Sequence, residues 1–302
     1  MTENLTRALK AAGFLESQIG LWHKYLPNAF GQAHWHIITY VRPYGYDGLP
    51  LRRVFYHVAS IFGMDSTTCN RRLKDLFAEG LLVANENNLK RGTLISPTAR
   101  LIERYDAYNV ELANLMISIT LNDPSSAIVN GNGGPSLNDR IASLYDRLGK
   151  IGEPRIAQFL VESVRSPALR EKVLHCLQTY TYWCIVSMAW RNRAEDGEFL
   201  ISDDFHMKIY PITKKGSNAT RDSLQDLIDW GFLRRLNQTH GVRSNRFAVC
   251  MTDSAFDLYS SLFSLFYDVL EITGQDIASR FAYSSAEGNT VIPTVRSIRN
   301  VS

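Results

Sequence analysis

Two segments of the chain match each other without a gap, and this internal repeat constrains the fold more than any other feature. Residues 66–82 (STTCNRRLKDLFAEGLL) and residues 217–233 (SNATRDSLQDLIDWGFL) lie 151 positions apart. Each segment begins with Ser, has Leu at helical spacing and ends in Gly followed by apolar residues. Ser favours a helix N-cap, and Gly favours the left-handed residue after a helix. The repeat predicts two copies of one structural unit.

The residues after each matched segment continue the parallel. We predict a strand, a polar and basic hairpin tip, a second strand and then a long amphipathic helix in both halves. In the first half these strands and helix are residues 81–84, 93–96 and 97–121. In the second half they are residues 232–236, 247–252 and 253–272. Helix, turn, helix, hairpin and helix is the order of a winged helix-turn-helix. The expected fold class is therefore mainly α with small β-hairpin wings (α+β), with tandem units packed through long helices as a pseudo-dimer.

Composition suggests where the units begin and end. Residues 122–138 (NDPSSAIVNGNGGPSLN) are rich in Gly, Asn, Ser and Pro and show no periodicity, which predicts a flexible linker. Residues 1–121 then form the first winged-helix domain. Residues 139–273 form the second, together with dimerisation-type helices. Residues 274–302 lose the apolar pattern, and we expect a loose C-terminal extension.

Charge and cysteine usage limit the function classes. The net charge is only +3, so any nucleic-acid surface must come from where the charges lie. The four cysteines form no CxxC pair, which is typical of reduced thiols in a cytoplasmic protein. The first residues lack the long apolar core of a signal peptide, and no run of about 18 apolar residues predicts a membrane span. We expect a cytoplasmic protein without a membrane partner.

A known family shares several of these motifs. Residues 54–65 (VFYHVASIFGMD) lead directly into the Ser66 helix and predict the first helix of a helix-turn-helix, with Gly63 in the turn. Together with LFAEGLL and ISPTARLIERY, this stretch resembles the MarR family over about residues 30–120. Residues 170–272 resemble it more weakly, through LIDWGFL and CMTDSAFDLYSSLF. The resemblance implies a winged helix-turn-helix fold, binding to double-stranded DNA and a role in transcription regulation. It implies a response to ligands less firmly.

Two departures from the family pattern stand out. The family's Asp-x-Arg near the wing tip is absent at the matching distance before Ser96 or Thr252, and basic residues stand nearby instead. Family members are usually single-domain homodimers, whereas two copies lie on this one chain. The long helices would let the two copies pair within the chain, and a further homodimer of whole chains is equally open.

The candidate DNA contacts lie on the exposed side of each predicted recognition helix and on the wings. Arg and Asn side chains pair with guanine and adenine edges, and hydroxyls near a helix start favour phosphates. Basic hairpins suit the minor groove. The predicted contacts of the first unit are Ser66, Thr67, Thr68, Asn70, Arg71, Lys74, Lys90 and Arg91. Those of the second unit are Lys214, Lys215, Ser217, Asn218, Arg221, Gln225, Arg243 and Arg246.

The second recognition helix has Asp222 where the first has Arg71. A carboxylate facing phosphates is unfavourable, so this helix either binds weakly or contacts different bases. Asp222 would also suit cytosine, whose N4 amino group donates a hydrogen bond. These interpretations stay open at the level of sequence.

Other features have two interpretations each. Four aromatic residues have two interpretations: they pack in the core between the long helices, or they line a small-molecule effector pocket between the domains. They are Tyr180, Tyr182, Trp183 and Trp190. Cys69 is a buried apolar filler or a redox switch within the recognition helix.

No motif indicates an enzyme, a metal site or a cofactor. The histidines His34, His36 and His57 have no Cys or carboxylate at zinc-ligand spacing. Asp203 and Asp204 beside His206 are best explained as a helix cap, and we assign no catalytic residue. The alternatives to a transcription regulator are a plasmid-type replication initiator with tandem winged helices and a winged-helix protein-interaction module.

Overall fold

A computed structural model describes most of the chain. The described residues are 3–27, 32–62, 66–86, 90, 92–121, 128–129, 134–149, 154–195, 197, 199–213, 216–236 and 247–283. This part is mostly helical with small antiparallel sheets, which agrees with the predicted α+β class. Several predicted residues lie outside it, namely Gly63, Arg91, Lys214, Lys215, Arg243 and Arg246.

The first half contains five helices and a small sheet among its described residues. Its helices are α1 (Glu3–Tyr25), α2 (Gln32–Val41), α3 (Leu51–Phe62), α4 (Ser66–Ala78) and α5 (Ala99–Thr120), and a 3-10 helix (Arg42–Asp47) follows α2. Its strands are β1 (Leu49–Pro50), β2 (Leu82–Ala84) and β3 (Leu94–Pro97). Strand β3 lies between β1 and β2 and is antiparallel to both.

The second half has more helices. They are α6 (Gly134–Gly149), α7 (Pro154–Ser163), α8 (Pro167–Gln178), α9 (Tyr180–Ala194), α10 (Ser202–Thr213), α11 (Ser217–Asp229) and α12 (Asp253–Phe281). The strands are β4 (Ile128–Val129), β5 (Leu200–Ile201), β6 (Leu233–Leu236), β7 (Ala248–Met251) and β8 (Ala282–Tyr283). Strand β7 lies between β5 and β6, and β4 pairs with β8.

The same succession of elements occurs in both halves. We call β1, α3, α4, β2, β3 and α5 the first unit, and β5, α10, α11, β6, β7 and α12 the second unit. The first residues of β1, α3, α4 and β2 precede those of β5, α10, α11 and β6 by 151 positions. The shift becomes 154 for the last strand and helix, because the second hairpin is three residues longer. The strand order β1-β3-β2 repeats as β5-β7-β6.

Matched hydrogen bonds close both units in the same way. Gly80 and Gly231 follow α4 and α11 with φ of 64° and 79°, the left-handed conformation predicted for Gly80. The Thr98 hydroxyl donates to the Gly80 carbonyl at 2.8 Å, and the Thr252 hydroxyl donates to the Gly231 carbonyl at 2.8 Å. Each threonine Oγ1 also accepts from a backbone N–H in the first turn of the following helix. In each unit, one threonine side chain therefore connects α4 or α11 with the hairpin and the long helix that follow it.

Long helices from both halves pack against one another at the centre. Helix α1 lies on both α5 and α12, which also contact each other, and α6 packs on the same pair. Small buried residues of α1, such as Ala8, Ala11 and Ala12, let these helices approach closely. Helices α8 and α9 meet at Thr179, and α9 contacts both α1 and α12.

The structure differs from the sequence prediction at both proposed boundaries. Helix α6 begins at Gly134, inside the segment predicted as a flexible linker (122–138), because the Asn138 side chain is buried against α5. It donates to Asp106 Oδ1 at 2.9 Å and accepts from Asn109 at 2.5 Å. Helix α12 continues to Phe281, inside the predicted extension (274–302), because Ile277 is fully buried.

Candidate nucleic-acid interface

Helix α4 has one buried face and one solvent face. Leu73 and Leu76 are fully buried and Cys69 is nearly so, which agrees with the interpretation of Cys69 as an apolar filler. Helical periodicity therefore directs the remaining positions outward. The predicted contacts that lie exposed on this face are Ser66, Thr67, Arg71 and Lys74. Asn70 is half-buried, and the Thr68 side chain lies outside the described part.

The solvent face of α4 is cationic. Arg71 and Lys74 form no ion pair with any described residue. The one carboxylate near them on this helix, Asp75, is turned toward Arg72 at 3.6 Å and toward the buried His34 ring at 3.3 Å. His34 and Asp75 are 41 positions apart, so spacing in the sequence could not reveal this contact. The described partners of Asp75 are therefore Arg72 and His34 rather than Arg71 or Lys74.

Helix α3 adds two arginines that the sequence analysis did not select. Arg52 and Arg53 are exposed in the first turn of α3, which packs against α4. Tyr56, one turn later, is 75% exposed. Cations at a helix N-terminus oppose the helix dipole, so this pair does not stabilise α3 itself. Consecutive arginines at a helix start were therefore the signal that could have identified them.

The first hairpin contributes one described cation. Lys90 is exposed, and its backbone N–H donates to the Thr93 hydroxyl at 2.8 Å. The Asn85 side chain accepts from the Leu94 N–H at 2.8 Å, which steadies the strand ends. Val83 on β2 is 49% exposed, so this strand presents an apolar rather than a charged surface.

Helix α11 has the same division into two faces. Leu224 and Leu227 are fully buried. The predicted contacts Ser217, Asn218 and Gln225 are exposed, and Arg221 is half-buried. Two of these side chains already contact carboxylates. Gln225 Nε2 donates to Asp229 Oδ1 at 2.8 Å, and the Arg221 guanidinium lies 3.9 Å from the Asp203 carboxylate. The structure thus brings the predicted α11 contacts to one surface, but that surface carries exposed carboxylates.

The second hairpin is basic in its described part. Arg234 and Arg235 are exposed on β6. The Arg235 guanidinium lies 4.0 Å from the centre of the Phe247 ring, and Arg234 Nε donates to Cys250 Sγ at 2.9 Å. These contacts hold both guanidinium groups on the outer strand rather than in the core.

The aromatic residues near α9 mostly pack in the core. Trp190 is fully buried, and its Nε1 donates to Ser260 Oγ at 2.9 Å. The Tyr182 ring stacks on Trp230 with centroids 5.3 Å apart, and its hydroxyl donates to Asp226 at 2.5 Å. Trp183 packs on phenylalanines of α12 and also lines a cavity of about 290 Å³ between α1 and α9.

That cavity combines apolar and polar walls. Its lining includes Cys184, whose thiol pKa is raised to about 12 by burial, and Ser187, whose buried hydroxyl has no hydrogen-bond partner among the described residues. Glu16 of α1 forms an ion pair with Arg191 at its edge. The cavity therefore lies between a helix of the first half and one of the second, where the sequence analysis placed a possible effector.

Comparisons of the chain with protein-family models, with curated proteins and with solved structures found no match. Within the described ranges, no helix is both long and apolar enough to cross a membrane. In the same ranges, no group of three His, Cys, Asp or Glu side chains is arranged to hold a metal ion. A functional assignment therefore depends on the geometry of this chain itself.

Proposed function

We propose that this chain is a sequence-specific, double-stranded DNA-binding transcription regulator, as the resemblance to the MarR family implies. In this proposal each unit is a winged helix-turn-helix, and the two units pack through α1, α5 and α12 as an internal pseudo-dimer. The observation that carries it is the solvent face of α4. This face presents Arg71 and Lys74, which form no ion pair with any described residue, midway along a helix that a hairpin follows.

The chemistry of this face suits a DNA major groove, which is wide enough to admit an α-helix. Arg71 can donate two hydrogen bonds to the O6 and N7 of guanine, whereas the Asn70 Oδ1 that pairing with adenine would require is buried in this structure. Ser66 and Thr67 lie in the first turn of α4, where hydroxyls and the helix dipole favour a phosphate. Arg52 and Arg53 add positive charge on the neighbouring helix, which supports attraction to the DNA backbone.

Contacts between the halves support an internal pseudo-dimer. Arg7 of α1 forms an ion pair with Asp268 of α12, and Arg191 of α9 forms one with Glu16 of α1. In related dimers, paired helix-turn-helix units contact half-sites about 34 Å apart, one helical turn of DNA. An effector in the cavity beside Trp183 and a homodimer of whole chains stay predictions.

The test begins with selection of bound fragments from a genomic DNA pool by the purified chain. The affinity for the selected duplex and for a scrambled duplex is then measured by fluorescence anisotropy across a salt series. We expect Arg71→Ala to lower the affinity for the selected duplex by about tenfold or more, because one bidentate contact contributes about 1–3 kcal/mol. The affinity for the scrambled duplex should change little. Lys74→Ala should lower the affinity for both duplexes and reduce the salt dependence of binding.

The matched control is Arg165→Ala, which removes an exposed arginine between α7 and α8 and should leave both affinities unchanged. If the parent binds no duplex even at low salt, the proposal is wrong and the interaction-module alternative is favoured. Selection of iterated repeats at an origin, rather than one short operator at a promoter, would favour the replication initiator.

A further inference from the structure

The repeat allows the exposed surfaces of the two units to be compared position by position. From β1 to β2, each residue of the first unit has its counterpart 151 positions later in the second unit. Three arginines on the solvent-facing positions of the first unit are matched by aspartates in the second. These pairs are Arg52 with Asp203, Arg53 with Asp204, and Arg71 with Asp222. The corresponding helix faces therefore differ in the sign of their charge, although the fold around them is the same.

Two further positions follow the same trend, whereas the pair Asn70 and Arg221 runs against it. Lys74 of α4 is matched by the neutral Gln225 of α11, and Ala78 by the exposed Asp229. The one cation of the α11 face, Arg221, lies 3.9 Å from Asp203. An acidic face raises the free energy of approach to phosphates, whereas the α4 face lowers it.

The first turns of α3 and α10 differ in what they do for their own helices. Asp203 and Asp204 carry negative charge at the N-terminus of α10, where it stabilises the helix. Arg52 and Arg53 oppose the dipole of α3. The second unit therefore has charges that favour its own helix, and the first has charges suited to an anion outside the protein.

The hairpin strands show the opposite distribution. Arg234 and Arg235 of β6 occupy the positions of Val83 and Ala84 of β2. Positive charge is thus on the helix pair of the first unit and on the hairpin strand of the second. Among the described residues, neither the helix pair nor the hairpin strands carry an excess of positive charge in both units.

We infer that the two units divide DNA recognition between them. The α4 helix of the first unit enters the major groove and determines sequence preference. The second unit contacts the DNA backbone through Arg234 and Arg235 on β6, and Asp222 and its neighbours keep α11 out of the groove. This inference rests on the proposed function and assigns, within it, which helix recognises bases. One chain then has one base-specific groove contact, flanked by a stretch of DNA held by its backbone alone.

Guanine-methylation interference on the selected duplex tests this division directly, because N7 methylation blocks contacts in the major groove. We expect one cluster of interfering guanines per chain, and Arg71→Ala should abolish it. Two clusters separated by about one helical turn, with the second surviving in Arg71→Ala, would overturn the inference. In that case the proposed DNA binding would stand. If the parent binds neither duplex at low salt, the proposed function itself fails.

Charge variants test the electrostatic part by anisotropy on the selected and scrambled duplexes. Asp222→Arg introduces the residue that the first unit has at this position. We expect it to raise the affinity for both duplexes several-fold and to steepen the salt dependence of binding. Replacing Arg234 and Arg235 together by Ala should lower the affinity for both duplexes equally and reduce the salt slope by about two. Replacing both by Lys keeps the charge and should retain most of the affinity. Weaker or unchanged binding by Asp222→Arg, or unchanged binding without the two arginines, contradicts the division. Arg165→Ala is the control, and thermal melting checks that each variant is folded.

Discussion

A buried polar network joins the two halves of the chain, and breaking it should cost far more stability than breaking a surface ion pair. The Asp106 carboxylate of α5 accepts hydrogen bonds from Arg42 Nη2, which lies 2.8 Å from each of its oxygens. It also accepts from Asn138 of α6 at 2.9 Å. The Arg42 and Asp106 side chains are each only 12% exposed, so either charge would be poorly solvated if its partner were removed.

The size of the effect follows from that burial. Removing one partner of a buried ion pair costs about 3–5 kcal/mol, because the other charge is left unpaired. Because the Arg42–Asp106 pair keeps some contact with solvent, we place its cost near the lower end of that range. The loss of the acceptor for Asn138 adds about 1 kcal/mol. We therefore expect Asp106→Ala to lower the free energy of unfolding by about 3–4 kcal/mol. Replacing both partners, as Arg42→Met with Asp106→Leu, removes the unpaired charge and should cost less than the single change.

Urea unfolding followed by tryptophan fluorescence measures these differences, since the chain has five tryptophans. The control is Glu195→Ala, which breaks an exposed pair with Arg191 at 2.8 Å and should change stability by less than about 1 kcal/mol. A loss below about 1 kcal/mol for Asp106→Ala, or a double variant less stable than the single one, would refute the reasoning.

Three further predictions concern packing and titration. Gly274→Ala should lower stability by about 1–3 kcal/mol, because a Cβ there overlaps Thr120 where α12 crosses α5, and adding Thr120→Ala should restore part of the loss in urea melts. Burial raises the pKa of the Cys184 thiol to about 12, so iodoacetamide at pH 8 should label the half-buried Cys250 first and Cys184 only on unfolding, as mass spectrometry would show. Burial, with the hydrogen bond to a carboxylate, raises the pKa of Tyr182 to about 12. The folded state then keeps a proton that the unfolded chain releases near pH 10, and the parent should lose stability between pH 10 and 12 more steeply than Tyr182→Phe.

Much of each unit could be predicted because its signals are local. The Leu73 and Leu76 spacing and the glycine at position 80 define α4 without reference to the rest of the chain. The two-residue strands β1 and β5 have no such signal. They form by pairing with β3 and β7, about forty-five residues away, where Leu49 lies opposite Ile95 and Leu200 lies opposite Val249.

Features that depend on distant partners escaped the sequence analysis for the same reason. The start of α6 lies in a Gly- and Asn-rich stretch, and what makes it helical is the burial of Asn138 against Asp106. The orientation of Asp75 depends on His34, and the cationic face of α4 follows from it. The reversed charges at Arg52 and Asp203 were accessible in principle. Extending the shift of 151 positions backward from residue 66 would have aligned them.

The two units have the same stabilising hydrogen bonds and core positions, and they differ in the charges that they expose. Thr98 and Thr252 form the same hydrogen bonds, and buried leucines occupy the same positions of α4 and α11. Exposed substitutions away from caps and core usually change stability by no more than about 0.5 kcal/mol, so Arg71 and Asp222 are interchangeable as far as the fold is concerned. For a charged partner they are opposites. Similarity of architecture therefore carries no argument that both helices bind DNA. The division proposed above follows instead from the sign of the charge on each face.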